Sequence, residues 1–93
     1  MQTIENATKI RRNDELIAAS VDGELVMLSV DRGQYFGVSG VGTRIWQWLE
    51  EPASPDELVD RVCAEFDVDE ETCRTEVNEF LAKMLSLELV ALQ

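Results

Sequence analysis

Two turn signals, each lying between apolar runs, constrain this 93-residue chain more than any other feature. Asp22-Gly23 follows the apolar run of residues 16–21 and precedes a second one, which is a strong short-range signal for a hairpin. Asp31-Arg32-Gly33 then fits a three-residue loop in which Gly33 supplies the positive φ that closes the turn. The pattern therefore predicts a three-stranded antiparallel meander whose last strand spans residues 34–38.

The turns and the apolar alternation together predict a strand register. Pairing Val21 with Glu24 and Val30 with Gln34 gives one apolar face, which we expect to be buried; it carries Ile17, Ala19, Val21, Val26, Leu28, Val30, Phe36 and Val38. The opposite face is mixed, as expected for a partly covered side of a sheet, and carries Ala18, Ser20, Leu25, Met27, Ser29 and Tyr35. The strand at residues 34–38 has no partner nearby in sequence on its other side, so a free edge is expected there.

Three helices are predicted after the meander. Ser39 can cap the first, at about residues 40–50. Ser54-Pro55-Asp56-Glu57 is a capping box with proline at the first helical position. Asp69 is the expected cap of the third and longest helix, at about residues 70–87. Three strands followed by three helices predict an α+β fold of winged-helix type.

The two ends of the chain differ in character. Residues 1–14 are polar and are interpreted as a flexible arm, with a short strand near Ile10, ahead of one domain at residues 15–93. The basic patch of Lys9, Arg11 and Arg12 is interpreted as solvated rather than as a binding site. Residues 87–92 are apolar and should fold back onto the body as helix end or short strand. No apolar run is long enough for a signal peptide or a membrane span, so we expect a cytoplasmic protein without membrane contact.

Composition and charge exclude several functions. A formal charge of −11 opposes binding to nucleic acid, and Trp46 and Trp48 are interpreted as core side chains rather than as a platform for bases. The chain has no histidine, the commonest general base and metal ligand, so neither a catalyst nor a metal site is expected. Cys63 and Cys73 fall on separate predicted helices and are interpreted as buried small side chains rather than as a disulfide or metal ligands.

Several short motifs follow one another over residues 16–92: an apolar strand before Asp31, the strand Gly33-Gln34-Tyr35-Phe36-Gly37-Val38, Gly42 followed by Ile45-Trp46, and the capped second helix. In this order and at these spacings they resemble the pyrroloquinoline quinone synthesis protein D family. That family supplies leader-recognition domains to pathways that modify ribosomally made peptides. The aromatic strand and the Gly-x-x-Ile-Trp helix are most similar to the free-standing recognition proteins of lasso-peptide clusters.

The resemblance implies a non-catalytic protein, without a cofactor, that binds the leader segment of a precursor peptide as an added strand. The leader would lie along residues 34–38 beside the third helix, and would be delivered to a separate leader peptidase with a cysteine-protease-like active site or to another modifying enzyme. A free sheet edge is suited to this mode of binding. The expected peptide-binding residues are Val30, Gln34, Tyr35, Phe36, Gly37, Val38, Cys73, Arg74, Glu76, Val77, Phe80, Leu81 and Met84.

Two other functions fit part of the pattern. An adaptor for a radical enzyme of another modified-peptide pathway, such as quinone cofactor synthesis, would bind its peptide in the same way and differ only in partner. A winged-helix DNA-binding regulator has a related architecture, but the acidic third helix would repel phosphates. For Val77, Phe80 and Leu81, packing onto the sheet and contact with the peptide both stay open.

Overall fold

The computed structural model describes residues 5–22 and 24–93. In this part of the chain, a three-stranded sheet is followed by three helices, and a short strand pair joins the two ends. The elements are β1 (Ile10–Arg12), β2 (Leu16–Val21), β3 (Glu24–Ser29), β4 (Gln34–Val38), α1 (Val41–Trp48), α2 (Pro55–Glu65), α3 (Glu70–Ser86) and β5 (Val90–Leu92). The predicted α+β class, with a meander followed by three helices, is confirmed.

The first predicted hairpin has the expected register. Strands β2 and β3 are antiparallel, with Val21 opposite Glu24 and Ile17 opposite Leu28. The turn between them begins at Asp22, which adopts a positive φ of 51°. Gly23, the second residue of the predicted turn, lies outside the described residues.

The register predicted for the second hairpin is wrong by one residue. Ser29, rather than Val30, pairs with Gln34, so the loop has four residues, Val30 to Gly33. Gly33 does take the expected positive φ, at 63°. Because side chains alternate along a strand, a shift of one residue moves Phe36 and Val38 to the other face of the sheet.

As a result, the buried face of the sheet is not the one that we predicted. Leu25 and Met27 are buried, and Phe36 and Val38 pack beside them against the core. The predicted core residues Ile17 and Val30 instead have 58% and 63% of their surface exposed. The predicted face carries more β-branched side chains, which made it the more regular apolar pattern. The helices nevertheless cover the opposite face, which carries Leu25 and Met27.

Helix α1 begins later than the sequence predicts, and Ser39 does not cap it. Gly40 occupies the cap position with φ 62°, a left-handed conformation that glycine adopts at little cost, and no side chain caps the helix there. The Thr43 hydroxyl instead donates a hydrogen bond to the carbonyl oxygen of Val38, at 3.1 Å, which fixes the first turn of α1 against the end of β4.

The caps predicted for the other two helices are confirmed. Ser54 and Glu57 form the capping box at the start of α2, with proline at the first helical position. At the start of α3, the Thr72 amide donates to the Asp69 carboxylate at 2.9 Å. These caps satisfy amides that the helix itself leaves without partners, and they fix where each helix begins.

The two ends of the described chain meet in a second, two-stranded sheet. Strands β1 and β5 are antiparallel, so the expected short strands near Ile10 and at the apolar end are both present. Ile10 is fully buried and also pairs with Ala53, and the Arg12 guanidinium lies 4.9 Å from the centre of the Trp46 ring. Ile10 and Arg12 therefore belong to the folded body, whereas the division into a flexible arm, residues 1–14, and a domain, residues 15–93, stays a prediction.

The core lies between the sheet and the three helices. Trp46 is buried and Trp48 half-buried against the core, as interpreted from the sequence. Cys73 is buried and Cys63 half-buried, and both are free thiols. In residues 5–22 and 24–93, no helix combines the length and the apolar character needed to cross a bilayer.

Candidate functional site

Strand β4 forms one edge of the three-stranded sheet. The strand order is β2-β3-β4, so in the described part of the chain β4 is hydrogen-bonded only to β3. In an antiparallel sheet, alternate backbone groups of such a strand point away from its partner. These groups are available to another extended segment. The free edge predicted at residues 34–38 is therefore present, with the predicted bounds.

A groove runs along this edge, between β4 and the second half of α3. Its volume is about 500 Å³. We call it the β4–α3 groove, and it is lined by Tyr35, Phe36, Gly37, Val38, Ser39, Gly42, Phe80, Lys83, Met84, Leu87 and Leu89. Most of these side chains are apolar, so the groove is suited to apolar side chains of an extended peptide.

A smaller cavity continues beyond the end of β4, between α1 and α3. Its volume is about 250 Å³, and we call it the inner pocket. It is lined by Ser39, Val41, Gly42, Ile45, Val62, Val68, Cys73, Glu76, Val77 and Phe80. Ser39, Gly42 and Phe80 line both cavities, so the two form neighbouring compartments along one path.

Gly42 allows β4, α1 and α3 to approach one another at this junction. A Cβ atom built on Gly42 would lie 2.8 Å from Val38 Cγ1 and 2.9 Å from Phe80 Cε1, closer than real Cβ atoms are found. The absent side chain thus lets the Phe80 ring pack against α1. The position of this ring in turn sets the boundary between the groove and the inner pocket.

The thiol that lines the inner pocket is protonated near neutral pH. Burial raises the pKa of Cys73 to about 11, and the neighbouring Cys63 thiol adds to the shift. The Cys73 Sγ lies 3.9 Å from the carbonyl oxygen of Val59. Because the thiolate is the reactive form of cysteine, Cys73 is suited to packing rather than to nucleophilic attack.

The family of the chain follows from a comparison with known proteins. Residues 24–90 match the family model of coenzyme PQQ synthesis protein D (PqqD), which is well over half of the chain. The chain belongs to the PqqD family. No curated protein sequence matched it. The family implied by the motifs of the β4 strand and the α1 helix is therefore confirmed.

Two solved structures are similar to this member of the PqqD family. The first, described as TbiB1 in complex with the TbiA(beta) leader peptide, is 40% identical, covers 86% of this chain and 93% of its own, and has a TM-score of 0.79. The second is described as lasso peptide synthetase B1 complexed with the leader peptide and is 18% identical. The match covers 88% of this chain and 96% of the solved chain, with a TM-score of 0.79. The second supports the fold alone.

Most of the site residues predicted for this PqqD-family chain lie together. Tyr35, Phe36, Gly37, Val38, Phe80 and Met84 line the groove, and Cys73, Glu76, Val77 and again Phe80 line the inner pocket. Val77 is only 1% exposed, so it contributes a wall that is already packed into the core. Phe80 is half-buried, and both packing and contact with a peptide are open to its ring.

Four predicted site residues line neither cavity. Val30 lies in the loop between β3 and β4, and Gln34 begins β4 opposite Ser29. Leu81 is fully buried. The Arg74 guanidinium is paired with the Asp56 carboxylate at 2.7 Å, where the hydrogen bond to Asp56 raises the Arg74 pKa. That pairing directs Arg74 toward α2.

Sequence reasoning did not include several residues that line the two cavities: Ser39, Val41, Gly42, Ile45, Val62, Val68, Lys83, Leu87 and Leu89. Gly42 had a usable signal, since a glycine one turn before Trp46 marks a place where another chain segment can approach closely. Leu87 and Leu89 follow α3 and carry no local pattern that points to the groove. They reach it because the chain turns back after α3, where Glu88 adopts φ 61°.

Proposed function

We propose that this protein binds the leader segment of a ribosomally made precursor peptide, of the lasso-peptide type, and delivers it to a separate leader peptidase. The observation that carries the proposal is the free edge of β4 beside the apolar β4–α3 groove. The relative that is 40% identical over most of this chain is described as a complex with a leader peptide, which supports the same role here.

In this proposal, the backbone of the leader extends the sheet beyond β4. Four or five backbone hydrogen bonds, worth about 1 kcal/mol each, are largely offset by the cost of ordering the peptide. Side-chain burial must then supply most of the net affinity. Phe36 and Val38 on β4 and Phe80 on α3 present apolar surface to alternate side chains of the leader, because those side chains fall on the groove side of the sheet. Met84 lines the same groove but is only 3% exposed, so it forms part of the packed wall.

The protein itself is proposed to be a binding partner rather than a catalyst. The sequence has no histidine, and the raised pKa of Cys73 keeps that thiol protonated. Chemistry on the precursor is therefore assigned to a separate enzyme, in the first instance a leader peptidase. An adaptor for a radical enzyme of quinone cofactor synthesis is the second candidate, favoured by the match to coenzyme PQQ synthesis protein D. Both candidates use the same peptide site and differ in the enzyme served.

The binding step is tested by titrating the purified protein with a synthetic leader peptide from a precursor encoded beside it. A groove that buries a few hundred Å² of apolar surface should give roughly micromolar or tighter affinity. The core segment of the same precursor is the control and should not bind. If the leader shows no saturable binding while the protein is folded by circular dichroism, the proposed function is wrong.

The delivery step is tested separately with the purified peptidase. The protein alone should leave the precursor intact, and adding it to the peptidase should accelerate removal of the leader. Cleavage by the protein alone, abolished by substitution of one of its own residues, would show that it is an enzyme. If the peptidase is indifferent to the protein but a radical enzyme is stimulated by it, the second candidate is correct.

A further inference from the structure

An exposed apolar surface lies on the side of the sheet opposite the β4–α3 groove. We call it the outer sheet face. The register of β2, β3 and β4 places on it the side chains of Ile17, Ala19, Val21, Val26, Leu28 and Tyr35. Ile17 and Val21 are each more than half exposed, as is Val30 in the adjoining β3–β4 loop, and Tyr35 is 76% exposed. Contiguous apolar patches of several side chains on a small domain commonly mark an interaction site.

The border of the outer sheet face is acidic. Five exposed carboxylates lie in the turns and strand ends around it: Asp14, Glu15, Asp22, Glu24 and Asp31. Glu24 shares its face with Val26 and Leu28 because side chains two apart point the same way. The Arg32 guanidinium in the β3–β4 loop lies 3.5 Å from the Glu88 carboxylate, so its charge is already partly compensated.

The apolar centre and the acidic border of the outer sheet face together favour one kind of binding partner. A second copy of the chain would bring two acidic borders together, and each copy carries a formal charge of −11. Like charges that face each other across an interface oppose association, whereas a basic border on the partner would favour it. Burial of the apolar centre would stabilise the complex. The charged border would orient the partner and increase the rate of association.

We propose that the outer sheet face docks the processing enzyme, through an apolar patch on the enzyme that is bordered by lysine and arginine side chains. This inference rests on the proposed function, which supplies the enzyme. Tyr35 belongs to β4, so the docking face reaches the same strand whose free edge would hold the leader. Tyr35 also lines the β4–α3 groove, so an enzyme bound there would lie beside the leader and meet the groove at this residue. Phe80 and Met84 line the groove from α3, on the opposite side of the sheet from the docking face.

Two variants separate the apolar and the charged parts of the proposal. Ile17→Thr combined with Val21→Thr removes apolar surface from β2 but keeps β-branched side chains suited to a strand. Glu24→Lys reverses one charge on the face. Glu51→Lys is the matched control, because it makes the same change in net charge at an exposed position between α1 and α2.

The purified leader peptidase is the probe, and its dissociation constant for the leader-loaded protein is measured with each variant. The double threonine variant and Glu24→Lys should each weaken enzyme binding about tenfold or more, while leader affinity stays within about twofold of wild type. Glu51→Lys should leave both affinities nearly unchanged. If the double variant does not fold, the proposal is tested by comparing the enzyme affinities of Glu24→Lys and Glu51→Lys.

Equal enzyme affinity for wild type, the double variant and Glu24→Lys would overturn the inference. It would also be overturned if sedimentation showed a wild-type dimer that the double threonine variant abolishes, because the face would then join two copies. Failure of the proposed function gives a different result, since wild-type protein would not bind the leader at all. The enzyme titration is repeated without leader in that case, and loss of enzyme binding in the face variants would still support this docking surface.

Discussion

Phe80 is the residue at which groove and core meet. Its ring lines both the β4–α3 groove and the inner pocket and is only half-buried. We predict that Phe80→Ala weakens leader binding by about 1–3 kcal/mol, roughly 5- to 150-fold, because a central apolar wall of the site is lost. The measurement is a titration with labelled leader, after circular dichroism has shown that the variant is folded.

Phe66→Ala is the matched control for Phe80. Phe66 is also a half-buried phenylalanine that packs against the core, but it lies at the end of α2 and lines neither cavity. This variant should lose stability and keep its leader affinity. If both variants weakened binding equally, the effect would come from general loosening of the fold, and Phe80 would have no particular role in the site.

A second prediction at the scale of the residue concerns Gly42. Gly42→Ala places a methyl group within 3 Å of Val38 and Phe80, so the Phe80 ring must move. We expect a net loss of about 1–3 kcal/mol in unfolding free energy, reduced by the better helix propensity of alanine, together with weaker leader binding. Chemical denaturation and the same leader titration measure the two effects.

Gly37→Ala provides the comparison for Gly42→Ala. Gly37 is a β4 residue with no atom within 4 Å of a built Cβ, so alanine fits there without a clash. Its effect on stability should be small. A Gly42→Ala protein that binds the leader as tightly as wild type would show that the junction between groove and inner pocket tolerates movement of Phe80.

At the scale of the element, the start of α2 is stabilised by one carboxylate with several partners. The Glu57 carboxylate accepts hydrogen bonds from Lys9 Nζ and from the Ser54 amide, the latter at 3.2 Å. The bond from Lys9, followed by that from Ser54, lowers the Glu57 pKa below its ordinary value of 4.5. The contact also ties the segment before β1 to α2.

The lowered pKa has a defined consequence for stability. A carboxylate whose pKa is lower in the folded state stabilises the protein fully above its unfolded pKa, and that contribution disappears as the pH falls through the folded pKa. We predict that Glu57→Gln lowers the unfolding free energy at pH 7, and that its difference from wild type shrinks below pH 4.5. Urea denaturation across this range tests the prediction. A difference that is independent of pH would show that the charge of Glu57 contributes nothing.

The elements differ in how far the sequence determined them. The bounds of β4 and the caps Ser54 and Asp69 could be predicted, because turn and capping residues act within a few positions. Which face of the sheet is buried could not be predicted, because a loop of three or four residues fits the segment from Val30 to Gly33 equally well. The choice between these loops is made by the helices that cover Leu25 and Met27, which are distant in sequence.

The candidate site was predictable to a similar extent. The edge strand and the apolar stripe of α3 gave Phe36, Val38, Phe80 and Met84, all of which line the groove. Leu81 was assigned to the site because it belongs to the same apolar stripe. Its position around the helix instead directs its side chain into the core, where it is fully buried. Groove-lining residues such as Leu89 depend on how the chain returns after α3, for which the sequence offers no local signal.

At the scale of the whole molecule, the two faces of the sheet differ in what they expose. One face and the helices enclose the core and the groove, while the other is apolar with an acidic border. The net charge of −11 predicts that the leader, or the docking face of the enzyme, is basic or at least not acidic. Leader binding should then weaken modestly, by less than about tenfold, between low and high salt. An affinity independent of salt would show that the acidic surface does not contribute to leader binding.

The central claim, that the leader binds as a strand added to β4, is tested most directly by amide hydrogen exchange with and without leader. Alternate amides of Gln34–Val38 point to the free edge and should gain protection when the leader binds, while their neighbours, already bonded to β3, should change little. Amide shifts should also occur from Cys73 to Met84 on α3. If protection and shifts cluster instead around Trp46, Trp48 and α2, and β4 exchanges as before, the leader does not bind at this edge.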